Sequence, residues 1–390
     1  MKKSCRGVVS IVGLLTLITL SLFVGLPGCN YGDSDDDDDT LTKLVGNYLY
    51  VVEGPAAGSG PGSVSSFKND KDGNLTELKN SPLPTGGQLS VTSSEIGIDV
   101  TPNHKFMYVS NNTSSSVAGF KIGYAGKLYP LSGATVSTSS NPHAIRVHPS
   151  GEFLFVGNAN DEIEVFSINK NSGALTEVTG SPFTVGDSLR AIAIHPDGEF
   201  LYTGHMFGVN EGLEAYTIDQ DTGAITFSGA TSLSGSSRPG ESIFITPDGS
   251  RLICTDLDSG IYIADINDAT GALTLVPTAP QNVVGFISSA ALNRAGDRLY
   301  LYESPNIYGY SISAAGELTA LPNMPYTNAG NQFYTIRTDE FDQFLFAVSV
   351  ADDQVHVFEI LDDGSLQEHI ESPIANANPA GVPVQLINVP

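Results

Sequence analysis

From Gly46 onward, apolar and polar residues alternate with a period of two in short runs broken by Gly, Pro, Asp and Asn. That is the spacing of half-buried strands. The runs come in a fixed order: one alternation, a Pro-Asp-Gly type turn, a second alternation, then a third and a fourth separated by another Gly turn. AIRVHPSGEFLFVGNANDEIEVFSINKNSGALTEV from Ala144 is one copy, and AIAIHPDGEFLYTGH from Ala191 with LEAYTIDQDTGAITF from Leu213 is the next. IFITPDGSRLICTDLDSGIYIADINDATGALTLV from Ile243 follows. Self-similarity at a period of about 47 residues means stacked supersecondary units, each of four short strands. No amphipathic helical period is found after the N-terminal apolar run.

The copies are counted by the aliphatic residue five places after each turn: Leu49, Met107, Leu154, Leu201, Leu252, Leu299 and Leu345. Six turns are internal, at Pro102, Pro149, Pro196, Pro247 and, in altered form, Arg294 and Glu340. The seventh is split, because the terminal VPVQLINVP reads as a first strand and GNYLYVV at Gly46 as the strand that should follow it. An open ring of sheets would expose unpaired edges, and joining the last strand to the first unit removes them. The predicted fold is therefore all-β, a seven-bladed β-propeller over residues 46–390 with four antiparallel strands per blade.

Ahead of it, Lys2, Lys3 and Arg6 precede an apolar run from Val8 to Leu26 and then Leu-Pro-Gly-Cys at 26–29. This resembles a bacterial lipoprotein signal over residues 1–28 with Cys29 as the lipidated residue, Pro27 departing from the usual small residue. An uncleaved anchor helix is the alternative, and either places the propeller outside the cytoplasm. Residues 29–45, with five consecutive Asp, read as an acidic tether with nothing apolar to bury. The expected location is the cell envelope, lipid-anchored at the outer membrane or cell surface.

Charge narrows the partners. The formal net charge is −25, and losing the three cations of the leader takes it to −28. Nucleic acid is excluded as a partner by long-range repulsion. With Cys5 in the leader and Cys29 lipidated, Cys254 stands alone in a strand, so no disulfide forms and the thiol reads as core filler. The NDKDGN loop at Asn69 has the look of half a calcium site, yet other units carry NKNSG, DQDTG and NDATG at that place, which identifies a hairpin turn. No metal or cofactor is expected.

Register supplies the candidate site. Every first strand begins at one mouth of the ring and every second strand returns to it. Six residues before the turn, the units carry Ile96, His143, Arg190, Glu241, Ser288, Tyr334 and Val384. At the returning end they carry Glu53, Asn111, Asn158, His205, Asp256, Glu303 and Ser349. An imidazole, a guanidinium and a carboxylate from adjacent blades, His143, Arg190 and Glu241, are the groups that would move a proton and hold an oxyanion in ester or lactone hydrolysis. Asn158, His205, Asp256, Glu303 and Tyr334 are the expected ligand contacts around them. A zinc site of His143, His205, Asp256 and Glu241 lacks any short ligand spacing, and no Gly-x-Ser-x-Gly elbow is present. A polar, water-filled mouth without chemistry is the other reading.

Asn-Pro-His143 leading into AIRVHPSGEFLFVGN, with Arg190 leading into AIAIHPDGEFLYTG, resembles the lactonase family of seven-bladed propellers, which includes 6-phosphogluconolactonase-like enzymes and the carboxy-cis,cis-muconate cyclases. The resemblance covers residues 46–390 and implies the propeller fold and activity on a lactone. In the family a His begins one blade, Gly-Pro-Arg-His begins the next, and a Glu follows the Asn that ends the second blade's returning strand. His143 and Arg190 match. Ala191 stands for the companion His, Ser188-Leu189 for the Gly-Pro, and His205-Met206 for the Asn-Glu. The expectation is a monomeric lactonase or carbohydrate-binding protein of the envelope, the alternative a non-catalytic scaffold that binds a ligand or a surface protein.

Overall fold

The computed structural model describes residues 47–389, apart from 56–58, 91–96, 207–211, 234–238, 258–259, 278–280, 283–284, 328–331, 350 and 376–380. The leader at 1–28, Cys29, the tether at 29–45 and Ile96 lie outside the described residues. Seven antiparallel sheets are formed, each with four strand positions, in chain order from the inside of the ring outward in every blade but the first. The outer strand of five blades is in two pieces that pair with the same third strand. The ring closes as the split repeat predicts: Gly381–Val389 is the inner strand of blade 1 and pairs antiparallel with Asn47–Pro55, Tyr48 opposite Val389 and Val52 opposite Gln385.

Sequence patterning explains where the core sits. The tracked column Leu49, Met107, Leu154, Leu201, Leu252, Leu299 and Leu345 is 0% exposed in every blade, because alternate residues of a second strand face the neighbouring sheet. At about 25 cal/mol per Å2 of apolar surface, these layers between blades are the main source of stability. The turns have a local cause too. The third turn residue needs positive φ, supplied by Gly151 at 71°, Gly198 at 84°, Gly249 at 75° and Gly296 at 75°, whereas His104 and Asp342 each take 55° in the two turns without that glycine.

Blades are also stapled by polar groups. Tyr108 Oη donates to the Gly173 carbonyl at 2.8 Å, Tyr202 to Gly271 at 2.9 Å and Tyr300 to Gly364 at 2.9 Å, each reaching the outer hairpin of the following blade. Each such buried bond is worth about 1 kcal/mol. At the turn face, His148 and His195 are 2.9 Å through Nε2 from the carbonyls of Gly198 and Gly249, one blade further on. Cys254 is fully buried, and burial pushes its thiol up to about 12, so it is inert filler.

Candidate functional site

The mouth predicted from the register is built by a repeated β-bulge. In blade 3, Gly157 faces Ala144 and Asn158 faces Pro142, so His143 is the extra residue. In blade 4 the pairs Ala191 with Gly204 and Leu189 with His205 leave Arg190 as the extra one. The same shift leaves Gly240 and Glu241 in blade 5, Tyr334 in blade 7 and Val384 in blade 1. Bulges re-aim a side chain at a strand end, and here five blades carry one at the same end of the ring. Glu241 lies in its strand Pro239–Ile245, but its side chain is outside what the structure describes.

His143 and Arg190 are brought together. The His143 ring is half-buried, with Nε2 3.1 Å from the carbonyl of Leu189, the residue just before Arg190. Burial holds the imidazole below its usual value of 6.5. The Leu189 and Asn141 carbonyls and Asp161 pull the other way, and the Arg190 charge adds to the lowering. The ring is thus neutral near pH 7, and a proton on Nε2 donating to Leu189 leaves Nδ1 as the basic nitrogen. Arg190 is half-buried as well, its Nη2 3.6 Å from Met206 Sδ and its Nε buried without a hydrogen-bond partner among the described residues. A half-buried guanidinium facing a thioether keeps donors for an incoming oxygen.

The returning strand ends correct the sequence expectation of an open polar lining. Asn158, His205 and Asp256 are 0%, 1% and 4% exposed. Asn158 and His205 are diagonal neighbours of Glu164 and Glu214 on the third strand and bond to them inside their own blades. Asn158 Nδ2 donates to Glu164 Oε1 at 2.9 Å. His205 Nε2 is 2.6 Å from Thr203 Oγ1 and 3.3 Å from Glu214 Oε2, which also accepts from Tyr216 Oη at 2.5 Å and the Gly186 amide at 3.0 Å. Glu303 is half-buried, and Tyr334 packs among apolar residues of blades 1 and 7 such as Val51 and Phe346. Of these five, Asn158 and His205 stand beside the two bulged residues, opposite Pro142 and Leu189.

The Glu214 carboxyl has a measurable signature. Burial raises its pKa, but the His205 ring, the Tyr216 hydroxyl and the Gly186 amide outweigh that and bring it from 4.5 to about 2. A depressed acid stabilises the fold above its unfolded pKa and loses that contribution as pH falls from 4.5 toward 2, by up to about 3 kcal/mol. The melting temperature of the wild type is expected to fall by ~5 °C more than that of Glu214→Gln between pH 5 and pH 2.5. Parallel melting curves for the two would remove this network from the account.

Sequence reasoning passed over a second set of charges on the axis. At the end carrying Pro149 and Pro196 the inner strands enclose a cavity of about 380 Å3 that Asp99, Arg146 and Arg337 line. The signal was present, since each lies three residues before its turn in IDVTP, IRVHP and TIRTDE. A charged residue in the middle of an inner strand needs a reason.

Comparison with known proteins follows from this geometry. The family model described as Lactonase, 7-bladed beta-propeller, matches residues 46–190, 181–285 and 255–382. Among solved structures, a proposed 6-phosphogluconolactonase of Bacteroides fragilis NCTC 9343 superposes with a TM-score of 0.71 at 18% identity, over 91% of this chain and 100% of that one. A second, from Bacteroides uniformis ATCC 8492, gives 0.72 at 17% over 88% and 99%. The periplasmic gluconolactonase PpgL of Pseudomonas aeruginosa gives 0.67 at 16% over 88% and 99%. At such identities the likeness is one of fold. No curated protein matches the chain.

Proposed function

From the premise that this chain belongs to the lactonase family of seven-bladed β-propellers, we propose that its bulged mouth binds a lactone or sugar-acid ligand and opens the lactone ring. The observation that carries the reading is the buried Arg190 Nε without a partner, next to the neutral His143. Water is deprotonated by His143 Nδ1 as its oxygen attacks the lactone carbonyl. Arg190 holds the oxyanion by charge-assisted bonds, and the ring C–O bond then breaks, the ring oxygen taking the proton as an alcohol. The new carboxyl group keeps the second proton of the water and releases it to solvent, and the carboxylate left is one the same guanidinium suits. A general base contributes typically ~10²–10⁴ in rate and one oxyanion donor ~10²–10³.

A second reading is binding without turnover. It is favoured by Met206, 4% exposed, which lies against Arg190 where the family resemblance expects a Glu. Turnover of a panel of sugar and aliphatic lactones by the full chain separates the two. Acid release that falls ~100-fold or more in His143→Ala supports the enzyme. Ligand-induced thermal stabilisation with no acid release supports binding alone. Neither effect with any lactone sinks both.

The proposed setting is the cell envelope, with acyl chains on Cys29 holding the propeller to a membrane through its acidic tether. The periplasmic gluconolactonase of like fold supports a lactone substrate outside the cytoplasm. Membrane attachment that persists in Cys29→Ala, with the leader intact, would instead favour an anchor helix.

A further inference from the structure

Leu189 joins the two halves of the mouth. Its carbonyl is 3.1 Å from His143 Nε2, and its own amide donates to Asp161 Oδ1 at 2.9 Å. Asp161 belongs to blade 3, like His143, in the turn between the second and third strands. Leu189 belongs to blade 4 and is joined by a peptide bond to the bulged Arg190. One carboxylate of blade 3 thus holds the residue of blade 4 against which the imidazole is set and to which the guanidinium is attached.

The backbone of Asp161 is itself pinned. Its φ is 59°, a left-handed value that Asp and Asn tolerate better than other side chains. Its amide donates to the Asn158 carbonyl at 3.2 Å, and its carbonyl accepts from the Val185 amide at 3.0 Å. The same turn of blade 2 carries Ser115 at φ 45°, whose Oγ donates to Asn141 Oδ1 at 3.2 Å, just ahead of the inner strand of blade 3. That place in the repeat is a latch onto the next blade, neutral in blade 2 and a carboxylate in blade 3. A latch for an amide needs only an acceptor, which Asn would supply at the same backbone angle. The charge has a separate effect on His143: Asp161 favours the imidazolium, whereas Arg190 opposes it.

We propose that Asp161 is a positioning residue of the mouth: its Oδ1 fixes the Leu189 peptide that orients the His143 ring, and its carboxylate is the counter-charge for the imidazolium formed when Nδ1 takes a proton. The proton passes from the attacking water to Nδ1 and on to the ring oxygen of the lactone, and Asp161 neither gives nor receives it. As a part in turnover this role rests on the lactone reading. As a property of the His143 ring it does not.

The test is an NMR titration of the full chain labelled at the histidine ring carbons, with the His143 signal identified by its loss in His143→Ala. Asp161→Asn keeps an acceptor for the Leu189 amide and removes the charge. It is expected to melt within ~2 °C of wild type and to lower the His143 titration midpoint by ~0.5 pH unit or more, whereas Arg190→Ala raises that midpoint. Asp161→Ser, which installs the residue blade 2 uses at that place, is a second neutral variant and should lower the midpoint too. On any lactone the wild type opens, Asp161→Asn should lose ~10-fold in kcat with KM held within ~3-fold. A midpoint unmoved or raised in the neutral variants overturns the proposal whatever the lactones do, and so does an unchanged kcat in a protein that turns over. A lowered midpoint in a protein that opens no lactone sinks the turnover reading alone and upholds Asp161 as the residue that sets the charge of the His143 ring.

Discussion

A chain ending at Val382 is expected to lose its cooperative melting transition, or to melt at least ~20 °C below the full protein. The deletion removes Pro383–Pro390, whose backbone pairs with Glu53 back to Tyr48 and so completes blade 1. Ladder hydrogen bonds contribute about 1 kcal/mol each, and the fully buried Val389 adds ~1.5–3 kcal/mol. Their sum is comparable with the ~5–15 kcal/mol that holds a whole domain. Beyond that, the deletion uncovers a long strand edge beside Tyr50 and Val51, both 0% exposed, and such an edge invites pairing between chains. Circular dichroism melting and size-exclusion chromatography read both effects. A soluble truncated protein melting within a few degrees of the full one would show that the ring does not depend on this closure.

The fold was legible because a propeller repeats its instructions. Seven aliphatic residues at one offset from seven turns are enough to number the blades, and burial of all seven follows from strand alternation alone. The split first blade was legible for the same reason, since a missing strand at one end matched a surplus strand at the other. Individual side-chain directions were less so. Asn158 and His205 sit where strand ends meet solvent, which suggests an exposed lining. Their orientation is decided by Glu164 and Glu214 on the next strand, partners that a single-strand pattern does not weigh. The bulges were hidden for a related reason: the offset of six was read as a register position, whereas the ladder shows His143 and Arg190 as extra residues inserted into it.

Arg146 and Arg337 were missed through attention to strand ends. A guanidinium three residues before a turn lies in mid-strand, where alternation assigns it to a wall between blades. Only the placement of seven inner strands around one axis shows that these positions meet across a cavity. The column IDV, IRV and TIR carried this information, and the mixture of Asp and Arg within it was the available sign.

The most direct measurement is made on Arg190→Ala, comparing melting temperature and ligand-induced stabilisation in the same samples. In the native protein the Arg190 Nε is buried without a hydrogen-bond partner, a condition that costs about 1–3 kcal/mol, and Nη2 meets only Met206 Sδ among the described residues. Removing the side chain relieves that cost and forfeits little packing, so the melting temperature should stay within ~2 °C of wild type or rise. A ligand that binds the native state stabilises it by RT ln(1 + [L]/Kd) and so raises the melting temperature, and a lost guanidinium should abolish that rise. Arg190→Lys should restore little of it, because an ammonium cannot make the paired bonds of a planar fork. The account predicts an unchanged fold and a lost response to every lactone or sugar acid that stabilises the wild type. A substantial fall in melting temperature with the ligand response intact would contradict it, and would make Arg190 a structural cation of blade 4.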